Sequence, residues 1–124
     1  MRRPTVLIVE DDQEMRDLLF DELWNEGYRL REAKDGVEAL FAVAQVPPDL
    51  IITDLRMPAG GIQYIGRLRL SAPNCPIIVM TAFGDEKLKQ DVLAAGGTAY
   101  VNKPVRLSEL KLRVRELLPP FVHA

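Results

Sequence analysis

Short runs of β-branched and other apolar residues alternate with stretches of helical spacing along the whole chain, and this alternation admits few folds. The runs are Thr5–Val9, Tyr28–Ala33, Leu50–Thr53, Ile77–Met80 and Ala99–Asn102. Four are nearly continuous in apolar residues, the mark of strands covered on both faces. The second alternates and is more polar, which suits an edge strand. Between them, Met15, Leu18, Leu19 and Leu23 fall at helical spacing, and Gly27 stands where a C-terminal stop belongs. Asp35 and Glu38 have the spacing of a capping box opening a helix over Gly36–Gln45, which Pro47-Pro48 closes. Ile62, Ile65 and Leu68 mark a third helix that ends at Ser71-Ala72-Pro73. Asp85 is expected to cap a fourth, running to about Ala95 before Gly96-Gly97. Ser108 is expected to cap the fifth, with Leu110, Val114 and Leu117 as its apolar stripe. Trp24 reads as a partly buried packing residue and Cys75 as a loop residue.

Five β-α units in succession predict parallel strands joined by right-handed crossovers. The expected fold is therefore α/β: a doubly wound (βα)5 domain, an open parallel sheet with helices on both faces. The 124 residues make one domain. Residues 1–118 would form it, and 119–124 a short C-terminal tail or the start of a linker. Lys and Arg number 16 against 18 Asp and Glu, a net charge of −2 that gives no general attraction to nucleic acid or an anionic membrane. Arg67, Arg69, Arg106, Lys111, Arg113 and Arg115 are interspersed with acids and read as solvated helix faces. Cys75 and His123 are each alone, which excludes an intramolecular disulfide and argues against Cys-based zinc and His-based sites. No apolar run approaches the roughly 18 residues of a membrane span, so a cytoplasmic location is expected.

In open sheets of this kind ligands sit beyond the carboxyl ends of the strands. The first strand runs into Glu10-Asp11-Asp12, the third into Asp54, the fourth into Thr81 and the fifth into Lys103-Pro104. Carboxylates packed together repel unless one is protonated or a cation neutralises them. Hard oxygen ligands with an open shell favour Mg²⁺, which accepts a phosphate oxygen. With a lysine and a hydroxyl alongside, such a pocket stabilises a phosphoryl group in transfer, and a carboxylate can be its nucleophile. Asp54, on a central strand facing the acidic cluster, is the best placed.

Val9-Glu10-Asp11-Asp12, Thr53-Asp54-Leu55-Arg56-Met57-Pro58, Met80-Thr81-Ala82 and Tyr100-Val101-Asn102-Lys103-Pro104, in that order and spacing, resemble the receiver domains of two-component response regulators, the CheY-like superfamily. The resemblance covers the chain from end to end and implies a flavodoxin-like sheet with strand order 2-1-3-4-5. It implies that Asp54 accepts a phosphoryl group from a sensor histidine kinase or phosphotransfer protein in a Mg²⁺-dependent reaction. The domain would then switch its affinity for an unidentified downstream effector. It further implies Asp11 as a direct metal ligand, Glu10 acting mainly through metal-bound water, and the Arg56 carbonyl completing the shell. Thr81 and Lys103 would hold phosphoryl oxygens, Tyr100 would be the aromatic switch residue, and the Lys103–Pro104 bond is often cis in relatives. A phosphorylation-dependent dimer through the fourth helix, fifth strand and fifth helix also follows, with no direct binding to nucleic acid or membrane.

Two features depart from the family pattern. Relatives often read Met-Pro-x-Met-Asp-Gly after the acceptor strand, whereas this chain reads Met57-Pro58-Ala59-Gly60-Gly61, one residue shorter and without the acid. Its two glycines are free to adopt positive φ. Asp12 follows the acidic pair and reads as the cap of the first helix. Two other classes use similar residues. Haloacid-dehalogenase-type phosphatases need a second acid two residues after the nucleophile, where Arg56 stands here, and a cap domain for which 124 residues leave no room. A receiver-like interaction module that is never phosphorylated would not need the full acceptor set. In the receiver reading the chain is no enzyme in the usual sense, catalysing only its own phosphorylation and dephosphorylation.

Overall fold

The computed structural model describes residues 3–82 and 84–118, so the expected tail at 119–124 lies outside the described residues. The elements in chain order are β1 (Thr5–Val9), α1 (Gln13–Asn25), β2 (Arg29–Ala33), α2 (Gly36–Gln45), β3 (Leu50–Asp54), α3 (Ile62–Ser71), β4 (Ile77–Thr81), α4 (Glu86–Ala95), β5 (Ala99–Asn102) and α5 (Leu107–Leu117). Every strand pair is parallel, as the β-α alternation predicts, and the order is β2-β1-β3-β4-β5, as the family resemblance implies. The second strand starts at Arg29, one residue later than expected, while β3 and β4 each run one residue further, through Asp54 and Thr81.

Side chains alternate across the pleat, so each buried strand feeds two cores. Leu7, Val9, Ile51, Ile77 and Val79 pack with Ala39 and Val43 of α2, Tyr64, Ile65 and Leu68 of α3, and Val92 of α4. On the other face Val6, Ile8, Ile52, Ile78 and Met80 meet Leu19 and Leu23 of α1 and Leu110 and Val114 of α5. Burial of each such aliphatic side chain contributes about 1.5–3 kcal/mol, and these two layers hold the strand ends in register.

The starts of α1, α2 and α4 are set by short acidic caps. Asp12, Asp35 and Asp85 accept from the backbone N–H groups of Glu14, Glu38 and Leu88. The start of α5 differs from expectation: the helix begins at Leu107 behind Arg106, with no side-chain cap, and Ser108 already lies inside its first turn. Leu18 and Trp24 are exposed, at 44% and 57%, rather than packed. The buried stripe of α1 runs through Leu19 and Leu23, and a residue about 100° further around the helix faces solvent. Trp24 stacks instead on Phe20, ring centroids 6.0 Å apart. Cys75 lies between α3 and β4 as expected, yet it is buried against the core.

Arg69 is likewise not a solvated charge. Its guanidinium donates to the carbonyls of Ala72 at 3.0 Å, Cys75 at 2.7 Å and Gly96 at 2.7 Å. It thereby ties the ends of α3 and α4 together at the bottom of the sheet. No helix among the described residues is long and apolar enough to cross a membrane.

Candidate functional site

The carboxyl ends of the strands bring four of the expected residues into one pocket. Carboxylate oxygens of Glu10, Asp11 and Asp54 lie within 4.8 Å of one another, with Glu10 and Asp54 buried and Asp11 exposed at the rim. Lys103, just past β5 and followed by a cis peptide bond to Pro104, reaches across the sheet top. Its ammonium donates to Glu10 Oε1 at 2.5 Å and to Asp54 Oδ2 at 3.0 Å. The other carboxylate oxygen of Asp54, Oδ1, takes the Leu55 N–H at 2.8 Å and the Arg56 N–H at 3.4 Å. One carboxylate oxygen is thus held by backbone and the other is turned toward the lysine.

Three carboxylates face one ammonium here. Burial pushes the Glu10 carboxyl up to about 7, and the nearby Asp54 adds to the rise against the pull of Lys103. Burial opposes the charge on Lys103, but its hydrogen bonds to Glu10 and Asp54 more than offset this and its pKa is raised. A pocket in which a carboxylate is driven toward protonation is one a hard cation relieves. The donor set is all oxygen, with one carboxylate open to solvent, and fits a divalent metal ion of that kind.

Thr81 lies at the end of β4, fully buried, and its Oγ1 has no hydrogen-bond partner among the described residues. Such a group costs about 1–3 kcal/mol unless a ligand completes it. The Tyr100 hydroxyl is the second such atom among the described residues. Gly84 closes over it so tightly that a Cβ there would stand 1.1 Å from that oxygen and 3.1 Å from Thr81 Cγ2. Thr81, Gly84 and Tyr100 therefore meet at one point beside the carboxylates. Burial raises the Tyr100 pKa, Asp85 adds to this, and Arg56 opposes it. The Arg56 side chain is exposed. Phe83, two residues past Thr81, lies outside the described residues.

The shortened loop after β3 is anchored rather than loose. Gly61 takes φ +92°, but the second left-handed residue is Ala59, at φ 56°, and not Gly60. Gly60 is required for closeness instead, since a Cβ there would stand 2.5 Å from the Leu55 carbonyl oxygen. At the start of α2 the Gly36 N–H donates to the Pro58 carbonyl at 3.1 Å, and a Cβ on Gly36 would strike the Ala59 carbonyl oxygen at 1.9 Å. Asp12 caps α1 as expected.

Two residues behind Asp54 carry no functional role in the sequence reading. Thr53 Oγ1 donates to the Asp54 carbonyl at 2.8 Å and lies 2.8 Å from the Tyr64 hydroxyl. Tyr64 is buried, and burial holds its hydroxyl well above the ordinary phenol range, a little lowered by Thr53. The sequence signal was slight: an aromatic on the apolar stripe of α3, and a threonine in a strand.

Comparison with known proteins points one way. Residues 6–115 match the family model described as the response regulator receiver domain. Over 114 residues, 91% of this chain, the sequence is 38% identical to Response regulator MprA of Mycobacterium sp. (strain KMS) and covers 50% of that protein. The chain thus spans about half the length of these mycobacterial relatives. Sporulation initiation phosphotransferase F of Bacillus subtilis is 32% identical over 120 residues, covering 96% of this chain and 97% of the relative. Among solved structures, the receiver domain of the Francisella response regulator 1452 superposes with a TM-score of 0.87 at 32% identity, covering 93% of this chain and 96% of that one.

Proposed function

The chain belongs to the response regulator receiver family, the signalling domains of two-component systems, and from this premise we propose that Asp54 is its phosphoacceptor. The observation that carries the reading is the pair of contacts on that carboxylate. Oδ1 is pinned by backbone N–H groups while Oδ2 lies 3.0 Å from the Lys103 ammonium, beside Glu10 and Asp11.

In the proposed reaction an Asp54 oxygen attacks phosphorus and the bond from phosphorus to the donor breaks. The donor nitrogen, on a histidine of a kinase or phosphotransfer protein, leaves with the bonding pair and takes up a proton. Lys103 balances charge on the phosphoryl oxygens, and the Thr81 hydroxyl donates to one of them. Mg²⁺ held by Glu10, Asp11, Asp54 and the Arg56 carbonyl would neutralise the clustered negative charge. The domain acts on itself, accepting and later losing the phosphoryl group, and as a signalling module it works in the cytoplasm. Engagement of Thr81 by the phosphoryl group would shift Tyr100 and change the face formed by α4, β5 and α5. A downstream effector or a second copy of the chain binds there, residues 119–124 serving as tail or linker. Arg56 stands where a haloacid-dehalogenase-type phosphatase needs its general acid, which disfavours that alternative.

Intact-mass measurement after incubation with Mg²⁺ and acetyl phosphate tests the reading. The parent should gain one phosphoryl mass, Asp54→Asn should gain none, and Asp11→Asn should need more Mg²⁺. Label appearing on the Asp54→Asn protein to the same extent would overturn the assignment.

A further inference from the structure

We propose that Tyr64 is a positioning residue for the acceptor, acting through Thr53 on the Asp54–Leu55 peptide; this rests on Asp54 being the phosphoacceptor. Thr53 has one hydroxyl proton, and it goes to the Asp54 carbonyl at 2.8 Å. The 2.8 Å contact between Thr53 Oγ1 and the Tyr64 hydroxyl must then be donated by the tyrosine. The result is a directed chain, from α3 through β3 to the carbonyl of the reacting residue.

That carbonyl shares a planar unit with the Leu55 N–H. The same N–H donates to Asp54 Oδ1 at 2.8 Å and to the Met80 carbonyl at 3.0 Å. Holding the carbonyl from one side therefore sets the direction of the N–H on the other, and with it the carboxylate. Oδ2 is left facing Lys103. Without the Tyr64 hydroxyl, Thr53 keeps its proton donor but loses a partner that holds its rotamer, and the peptide loses one of its restraints. The buried Tyr64 ring is itself wedged, since a Cβ on Gly36 would stand 3.1 Å from its Cδ1. Loss of the hydroxyl alone thus leaves the packing in place.

The test is the labelling rate with acetyl phosphate at fixed Mg²⁺, below the melting temperature of every variant, with thermal unfolding measured alongside. Tyr64→Phe and Thr53→Val should each slow labelling roughly five- to tenfold, since small misplacements of reacting groups act strongly on rate. Thr53→Ser, which keeps the hydroxyl, should restore most of the parent rate. The double variant Tyr64→Phe/Thr53→Val should be no slower than the slower single one, because both remove the same chain. Variants that melt earlier but label at the parent rate would show a merely structural bond and overturn the proposal, as would multiplicative slowing in the double variant. A parent that takes no label, or an Asp54→Asn protein that does, would overturn the acceptor reading itself and the proposal with it.

Discussion

Arg56 and Cys75 show how far a residue's neighbours decide its chemistry. Arg56 follows the proposed acceptor by two positions, with an exposed side chain and a backbone N–H on Asp54 Oδ1. Hydrolysis of an aspartyl phosphate needs a water in line behind phosphorus, and a guanidinium has no acceptor with which to orient it. An amide at this position does. Arg56→Asn should therefore lose its label faster, by roughly two- to tenfold, in a time course of the phosphorylated species; decay no faster than the parent would show that this side chain does not govern the water. Cys75 is the opposite case, a thiol made inert by its place. Burial pushes its pKa from the ordinary 9.0 up to about 11, against a small lowering by Arg69. At pH 8 the native thiolate fraction is then about a thousandth, and a thiol reagent should react only on unfolding. The sign also fixes a stability trend: above pH ~8.5 the unfolded chain loses this proton first, so the native state loses stability up to about 11. Native-state reaction as fast as in denaturant would refute this account of Cys75.

At the scale of elements, Arg69 joins what the sheet alone leaves separate. Helices α3 and α4 end side by side with C-terminal carbonyls that need donors. One guanidinium supplies them, reaching Ala72 and Cys75 after α3 and the Gly96 carbonyl after α4. Gly96 takes φ +121°, and a Cβ there would stand 2.8 Å from Arg69 Cβ. Hydrogen bonds from a charged donor are worth about 1.5–3 kcal/mol each at best, and those on one side chain do not add. Arg69→Ala should therefore destabilise the fold by about 2–3 kcal/mol in denaturant unfolding. Arg69→Lys should recover little, because a single ammonium cannot span the fork. A loss below about 0.5 kcal/mol in Arg69→Ala would place this arginine among ordinary surface charges. From sequence it read as one more charge on a helix face, since its partners are backbone carbonyls 3 to 27 residues away.

Across the whole molecule, what was legible in the sequence was whatever repeats or stands at a strand end. Branched apolar runs and helical spacings placed all ten elements along the chain, and the polar residues at the ends of β1, β3, β4 and β5 marked Glu10, Asp54, Thr81 and Lys103. Orientation around a helix is less legible, so Trp24 reads as partly buried where the structure leaves it exposed and stacked on Phe20, and contacts made through backbone carbonyls leave no pattern at all. Tyr64 and Thr53 escaped notice because an aromatic and a β-branched residue are what a core already asks for. The same distribution of packing bears on how a signal would travel. Helix α4 buries only Val92 fully, with Leu88 partly covered and Leu93 42% exposed. Its C-terminal end is held by Arg69 and by Gly97, where a Cβ would stand 2.7 Å from Val92 Cγ1. Its N-terminal end has the Asp85 cap and lies next to Gly84, Thr81 and Tyr100. A helix with few buried side chains and one anchored end moves most at the other. Binding of a phosphoryl mimic such as beryllium fluoride with Mg²⁺ should therefore shift amide resonances through residues 84–118, most strongly in the first half of α4 and around Tyr100. In Tyr100→Phe, which lacks the unpartnered hydroxyl, the changes in α4 should shrink while those at Asp54 and Lys103 persist. Shifts confined to the strand-end pocket in the parent would mean that α4 is not the element this pocket biases.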